Sequence, residues 1–178
     1  MLEIINILVK NAIVVAVWGS IAGFAFLAVP RSFLQSLRSK YKCFKFENNG
    51  LFYDKYLKIS KWKDKMPKFS AIMHKGFNME AVERISPEYL DLFIDETIRS
   101  EFCHIFLVLS SPIFYLVNDS LRWGTGVMIA FILGNFLFIM IQRYNRPRLM
   151  RVKELYERRK NKKMQSSNQE EKWEKTRK

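Results

Sequence analysis

The sequence predicts an all-α integral membrane protein with about three transmembrane helices, interfacial amphipathic helices and a basic cytoplasmic tail. The chain of 178 residues is 49% hydrophobic and yet carries a net charge of +13. This combination does not fit one ordinary soluble core, and it indicates apolar spans flanked by basic segments at an anionic membrane surface. Because the apolar runs are too long for a soluble nucleic-acid-binding module, we expect no nucleic-acid partner.

Three apolar runs are the candidate spans. The first, Asn11 to Pro30, and the third, Trp123 to Gln142, contain no charged residue and are long enough for a hydrocarbon core of about 30 Å. The second, Phe102 to Asn118, is shorter and contains a histidine, so it is marginal as a complete crossing. The first run could instead be a signal peptide, but Glu3 and a single Lys10 make a poor basic leader, which favours a retained helix.

The basic residues predict the orientation. Residues 31–100 hold 14 basic and 9 acidic residues, and residues 143–178 hold 14 basic and 5 acidic residues. The positive-inside rule places both segments in the cytoplasm of a multi-pass cell-membrane protein and its amino terminus outside. We therefore divide a single domain into a first transmembrane helix (1–30), a cytoplasmic or interfacial helical region (31–100), a transmembrane hairpin (101–142) and a basic cytoplasmic tail (143–178).

Helical signals continue outside the spans. In "ISPEYLDLFIDETIRSEF", Ser86 is a candidate N-cap and Pro87 a candidate first helical residue, followed by an apolar stripe at Leu90, Phe93, Ile94 and Ile98. We expect this helix to continue into the second span. In the tail, "RLMRVKELYERRKNKK" has one apolar side, and the polar remainder is predicted to be disordered.

The second span carries a polar stripe at spacings of three and four: Thr97, Glu101, His104, Val108, Ser111, Tyr115 and Asn118. An ionisable residue within a span is costly and marks a site that faces protein or water. Because Glu101 and His104 are three residues apart, they can form a general base with an orienting carboxylate. The alternative is a packing histidine that hydrogen-bonds across the bundle. A di-iron site needs the E-x-x-H motif twice, and Cys43 and Cys103 form no zinc motif, so we expect no metal.

The third span has a thinner polar face and ends in a dense polar cluster. The face consists of Asn135, Gln142 and Asn145, and the cluster adds Arg143, Tyr144, Arg146 and Arg148. Arginines at an interface can bind phosphates in a bidentate manner, although a stop-transfer cluster would also be basic. A further cluster, "ISKWKDKMP", offers Trp62 as an interfacial anchor and Lys63 as an anionic-lipid or substrate contact.

Four patches carry a resemblance to a known family. They are "FKFENNG" (Phe44 to Gly50), "KWKDK" (Lys61 to Lys65), "ETIRSEFCH" (Glu96 to His104) and "QRYNRPRL" (Gln142 to Leu149). In these patches, their order and their spacing, the chain resembles the glycosyl-4,4'-diaponeurosporenoate acyltransferases of carotenoid-glycoside synthesis. The resemblance covers roughly Phe44 to Arg158. It implies an integral membrane enzyme that esterifies a fatty acyl chain onto the sugar hydroxyl of a glycosylated carotenoid.

Together these observations predict a membrane acyltransferase that acts on a glycolipid hydroxyl. Acyl transfer needs a base for the hydroxyl proton, donors for the developing oxyanion and a hold on the acyl carrier. The predicted roles are His104 as base with Glu101 orienting it, Arg143 and Arg146 on the donor phosphates, Tyr144 or Asn145 on the oxyanion or sugar, Trp62 and Lys63 on substrate, and Glu96, Arg99 and Gln142 in support.

The expected partners are the lipid membrane, a glycolipid or glycosylated carotenoid acceptor and an activated fatty acid donor. The donor, such as acyl-CoA, is a co-substrate, and no resident cofactor is expected. Two alternatives remain open at this point. One is a small membrane methyltransferase or reductase, and the other is a non-catalytic adaptor that binds anionic lipid and a partner helix.

Overall fold

The computed structural model describes residues 2–38, 43–66 and 87–177, and every regular element within them is helical. The all-α prediction is therefore confirmed for this part of the chain. The predicted N-cap Ser86 and part of the predicted region 31–100 lie outside the described residues. The α-helices are α1 (Leu2–Leu27), α2 (Arg31–Arg38), α3 (Leu51–Leu57), α4 (Ile59–Trp62), α5 (Pro87–Leu109), α6 (Ile113–Val117) and α7 (Leu121–Thr176), and short 3-10 helices cover Lys45–Gly50 and Lys63–Lys65.

Two of the described helices are long and apolar enough to cross a membrane. They are α1 (Leu2–Leu27) and the part Leu121–Ser167 of α7. The second predicted span is not one continuous helix, because α5 ends at Leu109 and α6 begins only at Ile113. Pro112 lies between them, and a proline has no amide hydrogen and its ring obstructs the preceding turn. The prediction that α5 runs unbroken from Pro87 into the apolar segment is confirmed.

Helix α1 lies antiparallel to this interrupted segment. The Trp18 indole donates a hydrogen bond to the Ser110 hydroxyl at 2.8 Å. Asn11 and Asn118 exchange two amide hydrogen bonds of 2.8 and 2.9 Å, one in each direction. Polar pairs of this kind hold helices together in an apolar environment, so α1 is an integrated part of the fold.

Helix α5 also packs antiparallel to the first half of α7, as the predicted hairpin requires. Three contacts in order define the pairing: Arg146 donates to Thr97, His104 bonds Asn135, and Tyr115 bonds Thr125. The polar stripe of the second segment therefore faces other helices. It follows that the start of the second segment and the end of the third lie at the same end of the bundle.

The tail is helical, which corrects the prediction of disorder. Helix α7 has 56 residues and is therefore about 84 Å long. Its second half is rich in Glu, Lys, Arg and Gln, which have high helix propensity, and an exposed ion pair joins Lys153 and Glu157 at the i,i+4 spacing. These local preferences continue the helix after its packing against the bundle has ended.

Two apolar clusters attach the middle region to the bundle. In the first, Tyr53 and Ile59 pack against Ile141 and Tyr144 of α7, with Trp62 at the edge. In the second, Leu34 of α2 packs against Ile94 and Ile98 of α5. Both clusters lie at the end of the bundle where the predicted spans meet the charged segments. The first cluster holds the segment around the turn before α3 against α7, where the candidate site lies.

Candidate active site at the charged end of the bundle

Four charged side chains from three segments meet where α5 and α7 reach this end of the bundle, and all but the partly exposed Arg143 are buried. Arg143 donates from Nε and Nη2 to the two Glu47 carboxylate oxygens at 2.5 and 2.9 Å, and from Nη1 to Glu101 at 2.8 Å. Arg146 donates from Nη2 to the other Glu101 oxygen at 2.5 Å. We call Glu47, Glu101, Arg143 and Arg146 the charge quartet. Its formal charges cancel, as buried ionised groups require.

A tight turn delivers Glu47 to the quartet. Asn48, Asn49 and Gly50 all have positive φ values, of 44°, 54° and 87°. Gly50 lies so close to α7 that a Cβ atom would be 3.0 Å from the Tyr144 carbonyl oxygen. Only glycine combines this backbone conformation with this close approach at low cost. The turn thus fixes the Glu47 side chain against α7.

Hydrogen bonds keep the Glu47 carboxylate ionised. Burial alone would raise the pKa of Glu47, but hydrogen bonds from Arg143, the Tyr53 hydroxyl and the Phe44 amide outweigh it, and the pKa lies below its ordinary value. The Tyr53 hydroxyl donates to Glu47 at 2.5 Å, and burial together with this bond raises the pKa of Tyr53. Both groups therefore keep their protonation states near neutral pH.

The His104 ring is held by a different residue from the one predicted. The Asn135 Nδ2 group donates to the Phe131 carbonyl at 2.8 Å, which leaves its Oδ1 atom facing His104 Nδ1, also at 2.8 Å. Since Oδ1 can only accept, Nδ1 must carry the proton in the neutral ring. The ring also stacks on Phe138, with centroids 4.8 Å apart.

This tautomer leaves the second ring nitrogen available. His104 Nε2 has the lone pair, and it accepts no hydrogen bond from the part of the chain that the structure describes. A neutral histidine with one nitrogen held and the other open has the geometry of a general base.

The predicted contact between Glu101 and His104 does not form among the described residues. Both Glu101 oxygens bind arginines from α7, and the His104 ring turns to Asn135. The physical reason is charge, because a buried carboxylate is stabilised far more by a guanidinium than by a neutral imidazole. Asn135 therefore takes the orienting position that the sequence analysis gave to Glu101.

The other predicted site residues lie around the quartet. Tyr144 is buried, and its hydroxyl accepts a hydrogen bond from Arg148. Asn145 and Gln142 are half-buried. Because Arg143 and Arg146 already bind carboxylates, a phosphate of the donor would have to share these guanidinium groups with Glu47 and Glu101. Their donor-binding role stays a prediction.

The more peripheral residues have local partners. Trp62 donates from its indole to the Leu57 carbonyl at 2.9 Å, and Lys63 pairs with Asp64 at 3.0 Å. The predicted ion pair between Glu96 and Arg99 is present. Within the described ranges, no three His, Cys, Asp or Glu side chains cluster in a way that could hold a metal ion.

Comparison with known proteins identifies the family. The family model described as glycosyl-4,4'-diaponeurosporenoate acyltransferase matches residues 31–155. The chain belongs to this family. Relatives of that name from Staphylococcus aureus strains bovine RF122 / ET3-1, N315 and USA300 are each 28% identical over 132 residues, which is 74% of this chain and 78% of the relative. No solved structure matches the chain.

Family membership confirms the predicted resemblance and makes the chain an acyltransferase. It decides against the methyltransferase, reductase and adaptor alternatives. The match includes the whole quartet together with His104 and Asn135. Three of the four patches that carry the resemblance supply the quartet, and the fourth places Trp62 in the adjoining apolar cluster. The patches, far apart in sequence, thus form one region in space.

The contacts of Glu47 and Asn135 were not predicted from the sequence. Glu47 is an acid within an aromatic patch, and its partner Arg143 is 96 positions away in the chain. Asn135 lies in the middle of the third apolar run, seven residues before Gln142 at its end. A polar residue in a predicted span was the available signal for Asn135, since such residues face protein partners.

Proposed function

We propose that this acyltransferase works within a membrane and esterifies a fatty acyl chain onto a sugar hydroxyl of a glycosylated carotenoid or a related glycolipid. The observation that carries the proposal is the His104 ring, held by Asn135 with Nε2 open, one helical turn from the charge quartet. The acceptor class rests on the name of the relatives. The donor is an activated fatty acid such as acyl-CoA.

The membrane placement is supported by dimensions and exposure. Asn11 pairs with Asn118 at one end of the bundle, and Arg31 pairs with Asp95 at the other, at 2.9 Å. About 20 residues separate Asn11 from Arg31, which is roughly 30 Å of helix and allows a crossing in which Arg31 and Asp95 reach the headgroup layer. Only 6% of the most apolar part of α1 is buried, so lipid is the natural environment of its surface.

This arrangement gives three crossings, the second of them interrupted at Pro112. The segment from Asp95 to Asn118 follows α1 over the same depth, because its contacts with Arg31 of α2 and with Trp18 and Asn11 of α1 occur in antiparallel order. The charged end of the bundle faces the cytoplasm by the positive-inside rule, in a multi-pass cell-membrane protein. His104 then lies a short distance into the apolar zone, where an amphiphilic acceptor has its head in water and its chain in lipid.

The reaction follows from the His104 tautomer. Nε2 takes the proton from the sugar hydroxyl while the hydroxyl oxygen attacks the acyl carbonyl carbon of the donor thioester. The tetrahedral intermediate collapses with cleavage of the carbon–sulfur bond, and the imidazolium returns the proton to the leaving sulfur. The Asn135 oxygen accepts from Nδ1–H throughout, which keeps Nε2 directed at the acceptor. Asn145 carries an amide donor for the oxyanion.

The reaction class can be tested directly with purified protein in detergent. The protein is incubated with labelled acyl-CoA and a total lipid extract of its host, and the products are read by mass. The expected result is a glycolipid that has gained one fatty acyl group. A gain of one methyl group or of two hydrogens would contradict the proposal. Absence of product with acyl-CoA, acyl carrier protein and acyl phosphate as donors would contradict it as well.

A further inference from the structure

An exposed aromatic surface lies beside the charge quartet and has no part in the chemistry above. Four large apolar side chains of the segment 44–58 are more than half exposed: Phe44 at 57%, Phe46 at 59%, Leu51 at 62% and Tyr56 at 63%. We call these four residues the aromatic ledge. Such a dense exposed apolar surface marks an interaction site.

The ledge is a continuous, ordered surface. The rings of Phe44 and Phe46 stack with centroids 5.7 Å apart, and Phe46 meets Phe52 edge-on at 5.4 Å. Phe52 in turn contacts Tyr56 at 4.9 Å. The Arg143 guanidinium lies over the Phe44 ring at 4.4 Å, which joins the ledge to the quartet. These ring contacts join Phe44, Phe46 and Tyr56 in one surface.

Lysines surround the ledge and indicate the charge of its partner. Lys45, Lys55 and Lys58 are exposed, and within the described residues none of them forms an ion pair with a carboxylate. Lysine stems extend along an apolar surface while their ammonium groups reach the polar layer above it. Lys55 lies over the Tyr56 ring at 5.1 Å. Three exposed lysines without a carboxylate partner in the described residues are complementary to the phosphates of anionic lipids.

The position of the ledge selects the bilayer as its partner. Glu47 and Gly50 attach the turn to α7 at Arg143 and Tyr144, directly after the apolar run that ends at Gln142. This is the depth at which a crossing helix leaves the hydrocarbon, and aromatic side chains are enriched there in membrane proteins. A soluble partner would have to compete with the lipid at this depth.

We propose that the aromatic ledge lies in the headgroup layer, with its rings at the acyl-chain boundary and Lys45, Lys55 and Lys58 on anionic lipid phosphates. This inference rests on the membrane placement in the proposed function and adds a specific lipid-binding surface to it. Because the quartet joins the ledge rigidly to α5 and α7, the ledge sets the depth of His104 relative to the headgroups.

Spin labels can measure the depth of the ledge in nanodiscs that contain anionic and zwitterionic phospholipids. Single cysteines replace Phe46 or Leu51 in full-length protein whose Cys43 and Cys103 have been changed to Ser and Ala, and Lys160→Cys in the exposed tail is the control. We expect the labels at 46 and 51 to collide more with oxygen than with a water-soluble nickel chelate, and the label at 160 to show the reverse.

Preference of both ledge labels for the nickel chelate, in protein that retains its helical circular dichroism, would overturn the inference. So would labels that enter an apolar environment only when the glycolipid acceptor is added, or only in nanodiscs that hold two copies. The depth is measured without substrate. An inactive protein with a lipid-inserted ledge would therefore contradict only the proposed function, and an active protein with a water-exposed ledge would contradict only this inference.

A second variant tests the lysines. Changing Lys45, Lys55 and Lys58 together to Gln should lower the enrichment of anionic over zwitterionic lipid retained on the purified protein by about three-fold or more. The matched control changes Arg159, Lys160 and Lys162 of the tail to Gln, and we expect it to keep the enrichment. Equal retention by the ledge variant and the wild type would contradict the assignment of these lysines.

Discussion

The His104 ring depends on one amide for its orientation, and Asn135→Ala removes it. We expect this change to lower kcat of acyl transfer by about 10- to 100-fold with little change in KM, because the ring loses the acceptor that fixes Nδ1–H and directs Nε2. Asn135→Asp restores an acceptor and should recover part of kcat, whereas Asn135→Leu should not. Steady-state kinetics of the three variants provide the measurement.

Tyr115→Phe is the matched control for Asn135. It removes the hydrogen bond between Tyr115 and Thr125, which also joins the second apolar segment to α7 but does not involve His104. If it lowers kcat as much as Asn135→Ala does, the loss comes from helix packing, and the positioning role of Asn135 is wrong.

Glu101 is a second residue whose role the structure changes. Glu101→Gln leaves Arg146 and Arg143 with one carboxylate fewer in a buried site. Breaking a buried ion pair by removing one partner costs about 3–5 kcal/mol, so we expect a large fall in the thermal midpoint of the detergent-solubilised protein. The double change of Glu101 and Arg146 to Met should recover part of the loss, since it leaves fewer unpaired charges.

An exposed ion pair gives the comparison for Glu101. Glu157 pairs with Lys153 at 3.6 Å, and its side chain is 51% exposed. Glu157→Gln should change stability by no more than about 0.5 kcal/mol. Equal effects of Glu101→Gln and Glu157→Gln would show that the quartet does not hold the two helices together.

Among the elements, the turn before α3 makes the most specific prediction. Gly50→Ala places a Cβ atom 3.0 Å from the Tyr144 carbonyl oxygen at a φ of 87°. We expect a loss of about 1–3 kcal/mol in stability, because the left-handed conformation and the close contact both oppose a side chain. Gly126→Ala in α7 is the control, since its Cβ would have no neighbour within 4 Å. Thermal unfolding of both variants is the measurement. Equal midpoints would contradict the claim that the turn requires glycine at position 50.

The elements also show how far the sequence could predict this molecule. Spacing along α5 predicted which side chains share a face, and that face does contact other helices. Spacing could not predict that Glu101 binds arginines and not His104, because Arg143 and Arg146 lie on α7, more than 40 positions away in the chain. The helix break between Leu109 and Ile113 was also not predicted, although Pro112 is a local signal for it.

At the scale of the whole molecule, acid should weaken the fold at two carboxylates. Burial would raise the pKa of Glu47 and of Asp91, but hydrogen bonds from Arg143 and Tyr53 to the first, and from Lys153 and Arg38 to the second, lower both below their ordinary values of 4.5 and 3.8. A lowered folded-state pKa contributes stability above the unfolded-state pKa, and this stability is lost as the pH falls through the folded-state value.

The thermal midpoint should therefore stay nearly constant from about pH 7 to pH 5 and fall below about pH 4.5. Glu47→Gln should lower the midpoint at neutral pH and flatten part of the acidic fall, because the variant has one carboxylate fewer to protonate. Parallel profiles for wild type and variant would contradict a contribution from Glu47.

The whole-molecule architecture was predictable where composition alone determines it. The basic segments and apolar runs indicated an all-helical protein with helices long and apolar enough to cross a membrane, and four short patches indicated its family. The convergence of those patches at one buried quartet needed the structure, because it depends on the register between α5 and α7 and on one left-handed turn.

The most direct test of the account is the rate of acyl transfer by His104→Gln. The purified variant and wild type are compared with labelled donor and host lipid extract, with folding verified by thermal unfolding. A general base contributes about 10²- to 10⁴-fold, so we expect a loss of that size with the fold intact. Undiminished acyl transfer by a folded His104→Gln protein would contradict the assignment of His104 as the base.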